Sequence, residues 1–135
     1  MSTNYALSIK QPWAALLAMG RKTIEVRSWR THIRGRILIH AARVADPRPE
    51  AWKWVTDEVR PLTQLVGGII GAAELIDCIA YPEAARFESD APRHLNEASW
   101  FQPRGLFGFV FDRPCVRPFH PYLGNVRFFT VKEPK

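Results

Sequence analysis

The stretch "GRKTIEVR", residues 20–27, decides how the first part of this chain folds. It follows "QPWAALLAM", in which Pro12 suits the first turn of a helix and Gly20 suits its end. After the glycine, Ile24 and Val26 alternate with charged residues, which is the pattern of a strand with an apolar face. The stretch therefore predicts a helix of about eight residues that leads directly into a strand.

The charged residues of this strand are open to three interpretations. Alternation places Glu25 and Arg27 together on the face opposite Ile24 and Val26, with Lys22 on the apolar side. Such a group could be the edge of an ordinary sheet whose charges pair with each other. It could also be a catalytic Lys–Glu pair, or the lip of a site for an anionic ligand.

Outward from this stretch, local patterns predict further strands and helices. "YALSI" predicts a strand over residues 4–9, and "RILIHAA" predicts a central strand because both of its faces are largely apolar. "DPRPEAWKWVTDEVR" has the spacing of one helix that ends at Pro61, with Trp52 and Trp54 on different faces. "GGIIGAAELIDCIAY" predicts a long strand whose glycines mark a bulge.

The rest of the chain predicts a second β-rich region. Residues 82–103 are polar and should form short helices and loops, and three β-prone runs follow: "GLFGFVFDRP", "CVRPFHP" and "VRFFTVK". We expect hairpin-like returns between them. This order predicts an α+β fold with a curled mixed sheet, in the form of a small barrel.

Length and composition predict a single domain that spans residues 1–135, with disorder only at residues 133–135. The N-terminus lacks a secretion signal, and the longest apolar run is too short to span a bilayer. We therefore expect a soluble, cytoplasmic monomer with no membrane association. The two cysteines, Cys78 and Cys115, match no ligand spacing, and we expect them to be buried free thiols.

The positive charge is concentrated in one segment. Residues 21–48 hold eight basic and two acidic residues, so this segment accounts for the whole formal net charge of +6. Arginine-rich charge of this kind is typical of a surface that binds nucleic acid or phosphate, although arginines also occur on sheet faces for solubility. Trp13 lies before this segment and Trp29 lies within it, and both could stack on bases. The four histidines are scattered, and we expect no metal site and no cofactor.

The stretch "LSIKQPWAALLAMGRKTIEVRSWRTHIRGRILIHAA" resembles the ASCH domain, the activating signal cointegrator homology domain. The family signature is Gly-x-Lys-x-x-Glu-x-Arg after a short helix, which corresponds here to Gly20, Lys22, Glu25 and Arg27. The similarity extends over essentially the whole chain, and it is weak after Pro82. The chain looks closest to the version of the domain found in the cointegrator.

The resemblance implies a PUA-like fold, a small mixed β-barrel with short helices packed over a basic cleft. It also implies binding of RNA or single-stranded DNA, in which Lys22 and Arg27 would contact phosphate. Glu25 would orient Arg27 or accept a hydrogen bond from a base. Further contacts would come from a helix start and an arginine track: Gln11 and Trp13, and Arg30, Arg34 and Arg36.

The same superfamily offers an enzymatic alternative. Some small relatives are amidohydrolases of acetylated cytidine that use a lysine, a threonine nucleophile and a glutamate, and others have been associated with RNA cleavage. The threonine position, three after the lysine, is Glu25 here, which does not suit acyl transfer by a hydroxyl. If the protein is an enzyme, Lys22, Glu25 and Glu74 are the candidate catalytic residues.

We therefore predict a non-enzymatic domain that binds RNA or DNA and takes part in RNA- or transcription-linked regulation. A small amidohydrolase or nuclease that uses the same cleft is the alternative. A protein partner is a third possibility, and an exposed apolar patch near Trp52 or Trp54 would indicate it.

Overall fold

The computed structural model describes residues 4–132, and its six strands form one mixed sheet. The strand order is β2-β5-β4-β3-β1-β6, in which β1 and β3 run parallel and all other neighbours run antiparallel. The strands are β1 (Asn4–Ile9), β2 (Ile24–Arg27), β3 (Gly35–Ala41), β4 (Gly68–Tyr81), β5 (Leu106–Pro121) and β6 (Phe128–Val131). The sheet curls into a half-barrel, which confirms the predicted α+β, PUA-like fold class.

The helices are short and pack against one face of the sheet. They are α1 (Trp13–Ala18), α2 (Pro49–Trp52), α3 (Arg60–Thr63), α4 (Ala84–Ser89), α5 (Ala91–His94) and a 3₁₀ turn, Ala98–Trp100. All six residues of α1 are buried, and Gly20 ends this segment with φ +75°, a conformation that favours glycine. This helix-to-strand connection was predicted correctly.

The core lies between α1 and the sheet, and a smaller apolar cluster covers the other face. Ile37 and Ile39 of β3 point toward α1, whereas Leu38 belongs to the smaller cluster. The strand β3 lies between β4 and β1, so its prediction as a central strand is confirmed. The predicted bulges of β4 are also present, as shifts in its register with β3 and β5.

Two predictions of secondary structure were wrong. The helix expected before Pro61 is replaced by two short helices, and Pro61 lies in the first turn of α3. The Thr56 side chain accepts a hydrogen bond from the Val59 backbone, a local contact that competes with continuous helix. The expected break at Pro114 is absent as well, because β5 absorbs it in a bulge where Arg113 has φ +50°.

The cysteines are free, as predicted, but they are not buried. Cys78 is half-buried and Cys115 is exposed. Cys115 is exposed because β2 pairs only with the first part of β5, from Phe107 to Val110, so the remainder of β5 is an edge with β4 on one side. The expected disorder at residues 133–135 lies outside the described residues.

Candidate functional site

The charged residues of the motif form a chain of ion pairs. One oxygen of the Glu25 carboxylate, Oε1, lies 3.5 Å from Lys22 Nζ, and the other, Oε2, lies 3.0 Å from an Arg27 guanidinium nitrogen. Glu25 and Arg27 do share a face of β2, but that face is also packed, since Glu25 is only 8% exposed and sits opposite Phe109. We call this group the Lys22–Glu25–Arg27 chain.

Lys22 is the deepest member of the chain. It is 1% exposed, donates a hydrogen bond of 2.6 Å to the His94 carbonyl, and holds its ammonium 4.8 Å from the centre of the Trp13 ring. Burial lowers the pKa of Lys22 to about 8, although the nearby Glu25 carboxylate opposes this effect. Simple alternation had placed Lys22 away from Glu25. The structure instead turns it onto the same carboxylate, because Lys22 precedes the strand.

Arg27 connects the chain of ion pairs to β1, on the far side of the sheet from β2. One of its guanidinium nitrogens donates a hydrogen bond of 2.9 Å to the backbone carbonyl of Ser8, in β1. In the strand order, β1 and β2 are separated by three other strands, so this bond spans the mouth of the half-barrel. Arg27 is partly exposed, and it therefore lies at the edge of the site.

A second charged cluster lies beside Trp13. The indole N–H of Trp13 donates to Asp46 Oδ2 at 2.9 Å, and Arg48 binds the same carboxylate at 2.7 Å while its guanidinium stacks 3.6 Å from the centre of the Trp100 ring. Burial alone would raise the pKa of Asp46, but the hydrogen bonds from Arg48 and Trp13 lower it to about 2. Asp46 is therefore a buried anion that is held by its donors.

Two adjacent concavities open at the end of the sheet where Ser8 of β1 lies. The first, which we call the Trp29 basin, has a volume of about 590 Å³, and the second, the His40 basin, has about 740 Å³. Ser8, Asn125 and Val126 line both of them, so the two basins form one bipartite cleft. Among the charged residues that line it are Lys10, Glu25, Arg27, Arg43, Asp46, Arg48 and Arg127.

Three of these cations are not neutralised. Lys10, Arg43 and Arg127 form no salt bridge with any residue between 4 and 132, whereas Arg27 and Arg48 are paired with carboxylates. The Arg127 guanidinium lies 4.8 Å from the centre of the Trp29 ring. The cleft thus carries positive charge that is available to a ligand.

Only some of the residues proposed from the sequence line this cleft. Trp13, Glu25 and Arg27 do, and Lys22 lies beneath them. Gln11 is fully buried: its amide donates to the carbonyls of Leu62 and Leu65, and its carbonyl accepts from the Ala15 backbone. Its hydrogen bonds therefore hold the start of α1 against α3 and the turn that follows it. Its contact with nucleic acid stays a prediction.

The predicted arginine track is not part of the cleft. Arg30 lies over the ring of Phe107, and Arg34 donates to the carbonyls of Thr31 and Ile33. Arg36 precedes the inward-facing Ile37 on β3, so it points to the opposite face of the sheet from α1. Their contact with nucleic acid is a separate prediction that the cleft geometry does not support.

The three candidate catalytic residues do not come together. Lys22 and Glu25 are in contact, but Glu74 lies between Ala73 and Leu75, which both face the main core, so its side chain points to the other face of the sheet. On that face Glu74 is opposite Arg36 and Asp112. A triad of Lys22, Glu25 and Glu74 therefore does not exist in this fold.

Sequence reasoning missed Lys10, Arg43 and Arg127 as site residues. Lys10 and Arg127 are far apart in the chain, and the antiparallel pairing of β1 with β6 brings them to the same end of the sheet. Arg43 belongs to the basic segment 21–48, and the local signal for Arg127 was the loop "YLGNVR", which combines turn residues with an arginine. In that loop Arg127 has φ +55°, which is rare outside glycine and often marks a functional site.

The remaining expectations concern metals, membranes and partners. Within residues 4–132, no group of three or more His, Cys, Asp or Glu side chains could hold a metal ion. No helix in the described part of the chain is long and apolar enough to cross a membrane. Trp54 is 40% exposed, whereas the Trp52 indole donates to the Asp46 carbonyl. A protein partner and a cytoplasmic location stay predictions.

A curled mixed sheet with the Gly-x-Lys-x-x-Glu-x-Arg motif leading into its edge strand defines a PUA-like domain of the ASCH class. The family model of the ASCH domain matches residues 7–110, and the chain belongs to this family. It is similar to activating signal cointegrator 1 from Homo sapiens, with 35% identity over 105 residues, and from Mus musculus, with 36% over 86 residues.

These relatives are much longer than this chain. The human alignment covers 66% of this chain and 18% of the relative, and the mouse alignment covers 57% and 15%. Among solved structures, the ASCH protein from Zymomonas mobilis superimposes with a TM-score of 0.69 over 96% of this chain and 88% of that chain, at 14% identity. A point mutant of the same Zymomonas mobilis protein superimposes with a TM-score of 0.68. At this identity the likeness shows the fold alone.

Proposed function

We propose that this domain binds single-stranded nucleic acid, RNA or DNA, in the bipartite cleft. The observation that carries the proposal is the presence of three unneutralised cations, Lys10, Arg43 and Arg127, around two adjoining concavities. Cations that line a concave surface attract phosphate groups, and their counterions are released on binding. The family assignment is consistent with this function, since the curated relatives are named as cointegrators.

Aromatic and amide groups support contacts with bases. Trp29 lines the first basin, and Tyr122 lines the second. The Asn96 side chain also lines the Trp29 basin, and its amide makes no hydrogen bond with any described residue. A free carboxamide is suited to the donor and acceptor pattern of a base edge, and an aromatic ring is suited to stacking.

In this proposal, the buried residues of the motif position the exposed ones. Lys22 fixes Glu25, and Glu25 fixes Arg27 at the mouth of the cleft. Arg27 is the only member of the Lys22–Glu25–Arg27 chain with enough exposure to touch a phosphate directly. Replacement of Lys22 is therefore a poor test of binding, because it would also disturb the fold.

Replacement of Lys10, Arg43 and Arg127 together by alanine should weaken binding of a labelled single strand about thirtyfold. This estimate takes about 0.7 kcal/mol for each exposed contact between a cation and a phosphate. The slope of log affinity against log salt should fall by about 2, since each phosphate contact on a single strand contributes about 0.7. Fluorescence anisotropy with RNA, single-stranded DNA and duplex DNA across a salt series measures both quantities.

A second triple variant, with Arg30, Arg34 and Arg36 replaced by alanine, is the matched control. It removes the same formal charge from residues that do not line the cleft. We expect it to weaken binding less than threefold, through the loss of long-range attraction alone. If the two triple variants lose the same affinity, or if the arginine track matters more, the cleft is not the binding site. If the wild-type protein binds no nucleic acid, the proposed function fails.

Arg127→Gly should separate binding from stability. The substitution relieves the positive φ of +55°, so we expect the urea midpoint of unfolding to stay unchanged or to rise. It also removes the guanidinium over Trp29, and affinity for a single strand should fall about threefold, as estimated above for one cation. Arg127→Lys keeps the charge, so affinity for a single strand should fall less than in Arg127→Gly. A fall in stability together with affinity would instead assign Arg127 a structural role.

A further inference from the structure

The two basins of the cleft are divided by a wall. The wall is formed by Asn125 and Val126, in the loop between β5 and β6, and both residues line both basins. Val126 is 82% exposed, and Leu123 of the same loop is 80% exposed, which are the two highest values among the large apolar side chains of the described residues. An apolar ridge therefore rises between the two basins.

Hydrogen bonds and packing hold the wall in place on the side of the His40 basin. The Tyr122 backbone donates to the Gly67 carbonyl at 3.1 Å, and His40 Nε2 donates to the Tyr122 carbonyl at 2.7 Å. Gly124 lies against the same histidine so closely that a Cβ atom there would be 2.5 Å from the ring. Since Ser8 Oγ donates to the other ring nitrogen, His40 is fixed from both ends.

The other side of the wall is held as well. The Asn125 side chain accepts a hydrogen bond of 2.8 Å from the Val126 backbone, and Arg127 follows with a left-handed backbone and a guanidinium over Trp29. A non-glycine residue in this conformation needs support from its surroundings. The loop thus presents Val126 as a fixed ridge with the Arg127 cation beside it. The amide nitrogen of the Asn125 side chain, which has no hydrogen-bond partner among residues 4–132, lies next to it.

The groups that suit a nucleotide are present on each side of the ridge. The Trp29 basin has an indole ring, the free Asn96 amide and Arg127, and the His40 basin has the Tyr122 ring and Arg43. Each volume falls in the range of small-ligand sites. Paired bases of a duplex could not straddle such a ridge, whereas the unstacked bases of a single strand could.

We propose that two successive nucleotides of a single strand occupy the two basins, with their bases splayed apart on either side of Val126. The phosphate that joins them lies over the ridge, beside Arg127. This inference rests on the proposed function and adds to it a site size of two bases and an apolar wedge that separates them. Apolar side chains inserted between bases are a known means of unstacking them.

The test compares nucleotides of increasing length and follows the stacking of adjacent bases. Competition binding would use a 5′-phosphorylated mononucleotide, a dinucleotide, the same dinucleotide with an abasic second position, and a trinucleotide. The dinucleotide should bind about tenfold more tightly than the mononucleotide. The further gain in affinity from the dinucleotide to the trinucleotide should be smaller. In a dinucleotide of two 2-aminopurines, the exciton circular dichroism couplet, which reports stacking, should disappear on binding.

Val126→Ala tests the ridge itself. We expect the couplet to persist on binding to this variant, and the gain from the second base to fall to about threefold. Val116→Ala is the matched control, because Val116 is 51% exposed on β5 and lines neither basin. This control should behave like the wild-type protein.

The outcomes distinguish this inference from the proposed function. If oligonucleotides bind but affinity grows evenly with length, or if the couplet is retained by the wild-type protein, the bases are not splayed and the inference is overturned while the proposed function stands. Tighter binding to duplex than to a single strand would overturn it as well. If no oligonucleotide binds, the proposed function itself fails.

Discussion

Glu25→Gln is expected to lower the free energy of unfolding by about 3 kcal/mol at pH 7. The substitution leaves the buried Lys22 ammonium, which is 1% exposed, without an anionic partner; the His94 carbonyl and the Trp13 ring remain in contact with it. It also weakens the hydrogen bond that Arg27 Nε donates to the side chain at position 25. Removal of one partner from a buried ion pair typically costs about 3–5 kcal/mol, and the remaining contacts of Lys22 place this case at the low end.

The cost of Glu25→Gln should depend on pH. In the wild-type protein, burial lowers the pKa of Lys22 from 10.5 to about 8, so between these two pH values the unfolded chain binds more protons than the folded protein. Stability contributed by Lys22 therefore rises with pH across this window. Without the Glu25 carboxylate the pKa of Lys22 should fall further, and the destabilisation should shrink to about 1.5 kcal/mol near pH 9.

Urea unfolding followed by tryptophan fluorescence at pH 7 and near pH 9 measures this effect. Glu74→Gln is the matched control, since Glu74 lies on the opposite face of the sheet and is partly exposed, and we expect it to cost less than about 1 kcal/mol. Lys22→Met should cost less than Glu25→Gln, because Glu25 keeps Arg27 as a partner. Equal losses for Glu25→Gln and Glu74→Gln would show that the Lys22–Glu25–Arg27 chain is not coupled in the way described.

Asp46→Ala is expected to lower the free energy of unfolding by about 2–3 kcal/mol. It leaves the indole N–H of Trp13, a residue that is 6% exposed, without its acceptor, and it releases Arg48 from the carboxylate. A buried donor without a partner costs about 1–3 kcal/mol. Asp46→Asn should lower the free energy of unfolding by about half as much. The carbonyl oxygen of the asparagine still accepts from Trp13, but its amide group faces the donors of Arg48.

Acid should lower the stability of the wild-type protein through protonation of Asp46, an effect that Asp46→Ala lacks. The pKa of Asp46 is lowered from 3.8 to about 2, so the stability it contributes is present above about pH 4 and is lost as the pH falls toward 2. The difference in urea midpoint between the wild-type protein and Asp46→Ala should therefore be smaller at about pH 2.5 than at about pH 5. Asp57→Ala, at a fully exposed carboxylate, is the control and should change neither midpoint measurably. A constant difference between wild type and Asp46→Ala at both pH values would contradict the role given to this carboxylate.

Much of the fold could be predicted because its signals are local. The Pro12 to Gly20 helix, the alternation in β2 and the two apolar faces of β3 all depend on residues within one element. The two wrong predictions of secondary structure came from proline used as a stop signal. Pro61 lies in the first turn of α3 and Pro114 lies in a bulge of β5, where neither position needs a backbone donor.

The candidate site was predictable only in part. The motif placed Glu25 and Arg27 together, and the charge of residues 21–48 indicated an anionic ligand. The sequence did not show that Lys22 is buried, because the residue that covers its ammonium, His94, comes from α5 and is 72 positions away. Nor did it show that Arg36 faces away from the cleft, since that depends on which face of the curled sheet α1 covers.

The sequence by itself determined the family, the order of most elements and the chemistry of the motif, because these depend on residue type and short spacing. The tertiary structure alone decided which cations face a common cleft. Lys10 and Arg127 lie at one end of the sheet because β6 pairs with β1, and Arg43 joins them because β3 runs parallel to β1. Long-range strand pairing, which leaves no periodic trace in either strand, therefore assembles the site that we propose binds nucleic acid.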